Sequence, residues 1–193
     1  MRNLATQAAR LMAICGGLVL TVLIVLICIS VIGRSFNGLL HGWIGAAMPS
    51  VSAWALDLGV GPINGDFELV EAGVAFAIFA FLPLCQISAG HASVDIFTAK
   101  LPTRINRVLQ LAIEVIFAVV LIAIAYQLYN GMLSKQRYGD TTFLLQFPIW
   151  WAYAASLSGS ILTAVISLYV AGVRALELMR GEDILSQEAG LDL

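Results

Sequence analysis

The sequence predicts an all-α integral membrane protein: four transmembrane helices in a compact bundle, short interfacial amphipathic helices beside them, and both termini in the cytoplasm. Three observations predict it. Hydrophobic residues make up 60% of the 193 residues and charged residues only 11%, whereas about a quarter of an ordinary soluble domain is charged. The mean hydropathy is +0.92, so lipid has to be the solvent for most of the chain. Apolar runs long enough to cross a bilayer recur four times, and at roughly 20 residues each they leave only connections and short tails, too little for a soluble catalytic domain. Residues 1–193 therefore read as one membrane domain.

The first span covers residues 11–32, and at 1.5 Å per residue it reaches roughly 33 Å, enough for the hydrocarbon core. Arg34 is expected to end it. A cleaved signal peptide has an apolar region of about 7–15 residues and a small-residue cleavage site. This run is longer and has no such site, so it reads as a retained helix. Residues 35–66 are too apolar for a free loop and too interrupted to cross, and they are expected to lie on the outer membrane face. Within them Pro49 and Ser50 mark a helix start, Val51, Trp54, Ala55 and Leu58 an apolar stripe, and Gly59 a stop. Trp43 and Trp54 suit the headgroup level. The second span, residues 69–88, is led by the acidic Asp66, Glu68 and Glu71 and contains Pro83, which is expected to kink it. The third covers residues 108–128 and the fourth residues 149–173, with residues 174–193 left as a tail.

Orientation follows from Lys and Arg, which are in excess in cytoplasmic loops. Arg2, Arg10, Lys100, Arg104, Arg107, Arg174 and Arg180 fall on one side and Arg34, Lys135 and Arg137 on the other. Both termini are accordingly expected in the cytoplasm. The ten basic residues form no stripe and the formal net charge is -2, which gives no reason to expect a nucleic-acid partner.

Few side chains suggest chemistry. Cys15, Cys28 and Cys85 stand inside apolar runs without a Cys-x-x-Cys pair and read as small buried hydrophobes. His41 and His91 fall outside the spans on opposite sides, so they cannot clasp one haem between helices. His91 opens a polar cluster with Ser93 and Asp95 at the inner end of the second span, which reads as a helix end tied off by side chains. Glu114 is the acid well inside a span, about 9 Å from its start. Such carboxyls can carry protons or ions, but no second acid or base sits at matching depth. An interhelical or intersubunit hydrogen bond is the favoured role.

The fourth span carries small residues at helical spacing, Ala152, Ser156, Ser160, Thr163 and Ser167, with a second row at Ala155 and Gly159. Rows of this kind let another helix approach closely. Pro148 followed by Trp150 and Trp151 marks the outer interface. No nucleophile elbow, phosphate-cradling glycine loop or paired catalytic carboxylates occur, so an enzyme is not expected. Nor are there the paired repeats with broken helices of a self-sufficient secondary transporter.

Several short motifs, in order, carry a family resemblance: Arg34 with Phe36 after the first span; Phe67-Glu68-Leu69 before the second; His91, Val94 and Asp95, then Leu101-Pro102 after it; and Phe147-Pro148-Ile149-Trp150 with Tyr153 at the fourth. In these the chain resembles the small membrane (Q) subunit of tripartite ATP-independent periplasmic (TRAP) transporters. It departs from that pattern at Ala92, Ser93 and Leu157. The resemblance implies a bacterial inner-membrane complex in which the chain is a scaffold for a large multi-span permease subunit, served by a periplasmic substrate-binding protein that delivers an organic acid. Uptake would be sodium-coupled, with sodium on the large subunit and no cofactor on this chain. Arg34, Glu68, Glu71, His91, Asp95, Glu114, Pro148 and Trp150 are the candidate structural or subunit-interface residues. Two other readings stay open: a membrane anchor subunit of an oxidoreductase, and a small autonomous ion or drug exporter using Glu114.

Overall fold

The computed structural model describes residues 2–88 and 102–180, and the regular elements among them are all α-helices. They are α1 (Arg2–His41), α2 (Trp43–Ala47), α3 (Pro49–Asp57), α4 (Asp66–Ile87), α5 (Thr103–Tyr138) and α6 (Ile149–Arg180). Four of these, α1, α4, α5 and α6, are long and apolar enough to cross a membrane, which makes the chain a multi-pass membrane protein.

Local sequence explains where the long helices begin and end. Gly65, at φ 82°, turns the chain into α4, and Asp66 and Glu68 then place negative charge on the first turn, where the helix dipole favours it. Pro102 precedes α5, and Gly139, at φ 67°, closes it in the left-handed conformation that glycine adopts without penalty. Lys135 and Arg137 occupy the last turn of α5, where the dipole favours cations.

The four long helices stand in a row. α1 packs on α4, α4 on α6 and α6 on α5, while α1 and α6 touch lightly. Gly16 abuts Ala80 and Gly73 abuts Leu23, so α1 and α4 run antiparallel. Gly159 abuts Phe79, and α6 runs parallel to α4. The expected compact bundle is thus corrected to a single file. Its cause lies in α6, whose Ser156, Gly159, Ser160, Thr163 and Ser167 are buried and admit a neighbour on either side. The hydroxyls of Thr163 and Ser167 are satisfied within α6 by the Gly159 and Ala164 carbonyls, so burying them leaves no orphaned donor.

Other expectations also change. α1 does not end at Arg34 but continues to His41, because Arg34 finds a partner on α4 instead of marking the water boundary. Residues 35–41 of the expected interfacial segment therefore belong to α1. α3 begins at Pro49 and holds to α1 through its polar side, Ser52 donating to the Leu40 carbonyl at 2.7 Å. Val51, Trp54 and Leu58 are left facing outward. At the other end, residues 174–180 continue α6 as helix. There Glu177 is 1% exposed and accepts from Arg174 one turn earlier at 2.9 Å, so the pair lets the helix go on past its last apolar turn. The cysteines are not buried either: Cys15 and Cys28 are exposed and Cys85 partly so. In a row each outer helix covers only one face, and a small apolar side chain elsewhere on α1 meets lipid at no cost.

Candidate functional site

Most of the candidate residues gather at the end of the row where α1 finishes and α4 and α6 begin. Ser30 and Arg34 lie one turn apart and so share a face of α1. Ser30 donates to Asp66 Oδ2 at 2.6 Å, and an Arg34 guanidinium nitrogen approaches the same oxygen at 3.4 Å. The guanidinium also sits 5.6 Å from the centroid of the Phe67 ring, within cation–π range. Asp66 is 7% exposed, and a charge removed from water that far is tolerable because it is paired and hydrogen-bonded. The Ile63 amide donates to the Ser30 hydroxyl at 3.2 Å. Beside it Gly33 meets the Gly61 carbonyl so closely that a Cβ would come within 2.1 Å of the oxygen. Together these contacts tie the segment entering α4 to α1.

Glu68 does the same for the connection between α5 and α6. Its two carboxylate oxygens accept the backbone N–H groups of Leu144 and Leu145 at 2.7 and 2.9 Å. Charge-assisted bonds to adjacent amides fix a loop well, since both donors would otherwise need water. The loop is further closed by the Thr142 amide on the Phe147 carbonyl at 2.9 Å and the Ile149 amide on the Asp140 carbonyl at 3.0 Å. Gln146 adopts φ 53° within it. Pro148, at the start of α6, pairs antiparallel with Thr141. Trp150 stacks edge-on against Trp151 with centroids 5.9 Å apart.

Glu71, one turn below Glu68, bonds nothing in the loop. It stands exposed at the mouth of an open cavity of about 300 Å³ between α4 and α5. α6 makes the floor with Ala152, Tyr153 and Ser156, and Phe79 and Leu128 form the walls. The cavity exists because α4 and α5 both rest on α6 and leave a gap between them at this end, while Gln86 and Glu114 join the two towards the other. A second hollow of about 460 Å³ shares Phe79, Leu128 and Tyr153 with the first and runs on between Val120 and Ile124.

Glu114 lies apart from this group, towards the other end, where Gln86 of α4 donates to its Oε2 at 2.8 Å. His91 and Asp95 lie outside the described residues. Among the described residues no group of three His, Cys, Asp or Glu side chains is placed to hold a metal ion. The residues that sequence reasoning missed are Ser30 and Asp66. A serine four positions before Arg34 inside an apolar run was the available signal, because it puts two donors on one face of α1.

Residues 23–178 match the family model described as tripartite ATP-independent periplasmic transporters, DctQ component, a stretch that reaches from within α1 almost to the end of α6. No curated protein and no solved structure matches the chain.

Proposed function

The chain belongs to the DctQ component family of tripartite ATP-independent periplasmic transporters, and from that membership we propose that it braces a large permease subunit without moving in the transport cycle. It is a transporter component and not an enzyme. The family also displaces the oxidoreductase-anchor and exporter readings. In our reading the complex lies in a bacterial inner membrane and takes up an organic acid delivered by a periplasmic binding protein, with sodium as the coupling ion bound on the large subunit. Arg34, Glu68, Glu71, Glu114, Pro148, Trp150, His91 and Asp95 then serve the structure of the brace or its attachment.

The observation that supports a fixed brace is the closeness of the helix contacts. A Cβ on Gly16 would come 2.9 Å from Ala80 Cβ, and one on Gly159 would come 2.6 Å from the Phe79 carbonyl oxygen. Contacts this close leave little room for the helices to slide or tilt on one another without overlap. The test replaces Cys15, Cys28 and Cys85 with Ala and introduces Leu18→Cys on α1 and Ile78→Cys on α4, both exposed positions, to carry spin labels. In a complex assembled with the large subunit, the distance between the two labels should be the same with and without substrate and sodium. A distance that changes between those conditions means that α1 and α4 move, and the brace reading falls.

A further inference from the structure

We propose that the groove between α4 and α5 is a binding site for one phospholipid bearing a primary ammonium headgroup, held at Glu71 and Ser156. The inference concerns this chain alone and does not depend on the brace reading.

Three independent observations converge on it. The mouth of the groove carries the carboxylates of Glu68 and Glu71. Glu68 accepts two backbone amides, and Glu71 is exposed beside it. An anionic headgroup is repelled there and a primary ammonium is attracted. Lower down, Ser156 lines the floor, is 2% exposed, and its Oγ has no hydrogen-bond partner. A buried hydroxyl without a partner is costly, and in a membrane no water is at hand to supply one. The ester carbonyl of a lipid is an acceptor of the right kind. Below Ser156 the lining turns apolar, with Phe79 and Leu128 continuous with the second hollow. Val120, eight residues from Leu128 on α5, carries that hollow about 12 Å further along the helix, the path of an acyl chain.

The vertical order fits one molecule. Phe79 and Gly159 face each other. Glu71 stands eight residues before Phe79, about 12 Å, and Ser156 three residues before Gly159, about 4.5 Å, both towards the same end. The carboxylate is therefore about 7.5 Å above the hydroxyl along the helix axes, as an ammonium is above the glycerol esters of a phospholipid. A protein helix occupying the same groove would present no ammonium at one end and no ester at the other unless it happened to carry both.

The test uses the full chain purified in detergent and titrated with dioleoyl phosphatidylethanolamine or dioleoyl phosphatidylglycerol, with bound lipid counted by native mass spectrometry. The ethanolamine lipid should be retained about tenfold more strongly, and Glu71→Gln should bring the ratio close to one. Ser156→Ala should lower retention of both lipids alike, since the ester is common to them. Ala152→Phe, which fills the floor, should exclude both at unchanged thermal stability. Should Ala152→Phe unfold the chain, the isosteric Glu71→Gln still decides. Equal retention of the two lipids by the natural chain, a preference that survives Glu71→Gln, or no retained lipid at all overturns the proposal.

Discussion

Gly159 of α6 sits against the carbonyl of Phe79 in α4, so close that a Cβ would lie 2.6 Å from the oxygen and 2.7 Å from the carbon. The carbonyl is available because Pro83, four residues on, has no N–H to offer it. Proline in α4 and glycine in α6 thus form one device: the first exposes a backbone oxygen and the second lets a neighbouring helix close over it. Gly159→Ala should force backbone apart and cost about 1–3 kcal/mol, read as a lower midpoint of thermal unfolding in detergent. Gly172, with nothing within 4 Å, is the control, and Gly172→Ala should be neutral or raise the midpoint slightly.

Asp66 holds α1 and α4 together by accepting from Ser30 and pairing with Arg34. Asp66→Ala should cost about 1–3 kcal/mol and Ser30→Ala about 1 kcal/mol. Because the two share one bond, the double mutant should cost less than the two single losses combined. Strict additivity in denaturant titrations would show that the bond does not contribute.

Glu68 restrains the loop before α6 through the amides of Leu144 and Leu145. Glu68→Ala should speed hydrogen exchange at both amides and open the peptide bonds around Phe143, which is 87% exposed, to protease. Glu68→Gln, with one carbonyl oxygen in place of two carboxylate oxygens, should fall between the two. Exchange unchanged in Glu68→Ala would show that the loop is held by its own turn.

Orientation can be read with a reporter active only outside the cytoplasm. Fused after His41 or Gly139 it should work, and at the C-terminus it should fail, as the placement of Lys and Arg requires. The reverse pattern would invert the assignment of every side named in the proposal.

What the sequence makes legible is whatever depends on one helix at a time. Apolar length marks the four spanning helices, Pro49 and Gly59 bracket α3, and the small residues of α6 announce a face for close approach. What it hides depends on a partner far along the chain. A lone arginine after an apolar run reads as a water boundary, and only the position of Asp66, 32 residues later, shows why α1 runs on through Arg34. The cysteines depart from the expected burial for a related reason. Hydrophobicity says that a residue avoids water, but in a membrane both lipid and protein satisfy it, so burial cannot be told from composition. Neighbour order is equally invisible: the small-residue row of α6 predicts a close contact without saying that it has one on each side.

The single file has a consequence for biosynthesis. Chain order is α1, α4, α5, α6, whereas spatial order is α1, α4, α6, α5. The ribosome therefore delivers α5 before the helix it packs on exists, and α6 must enter last between two spans already in the bilayer. Until then α5 lacks its main neighbour and can meet α4 through Gln86 and Glu114, and a chain cut short after it would leave α4 without its α6 contacts and α5 with none on its α6 face.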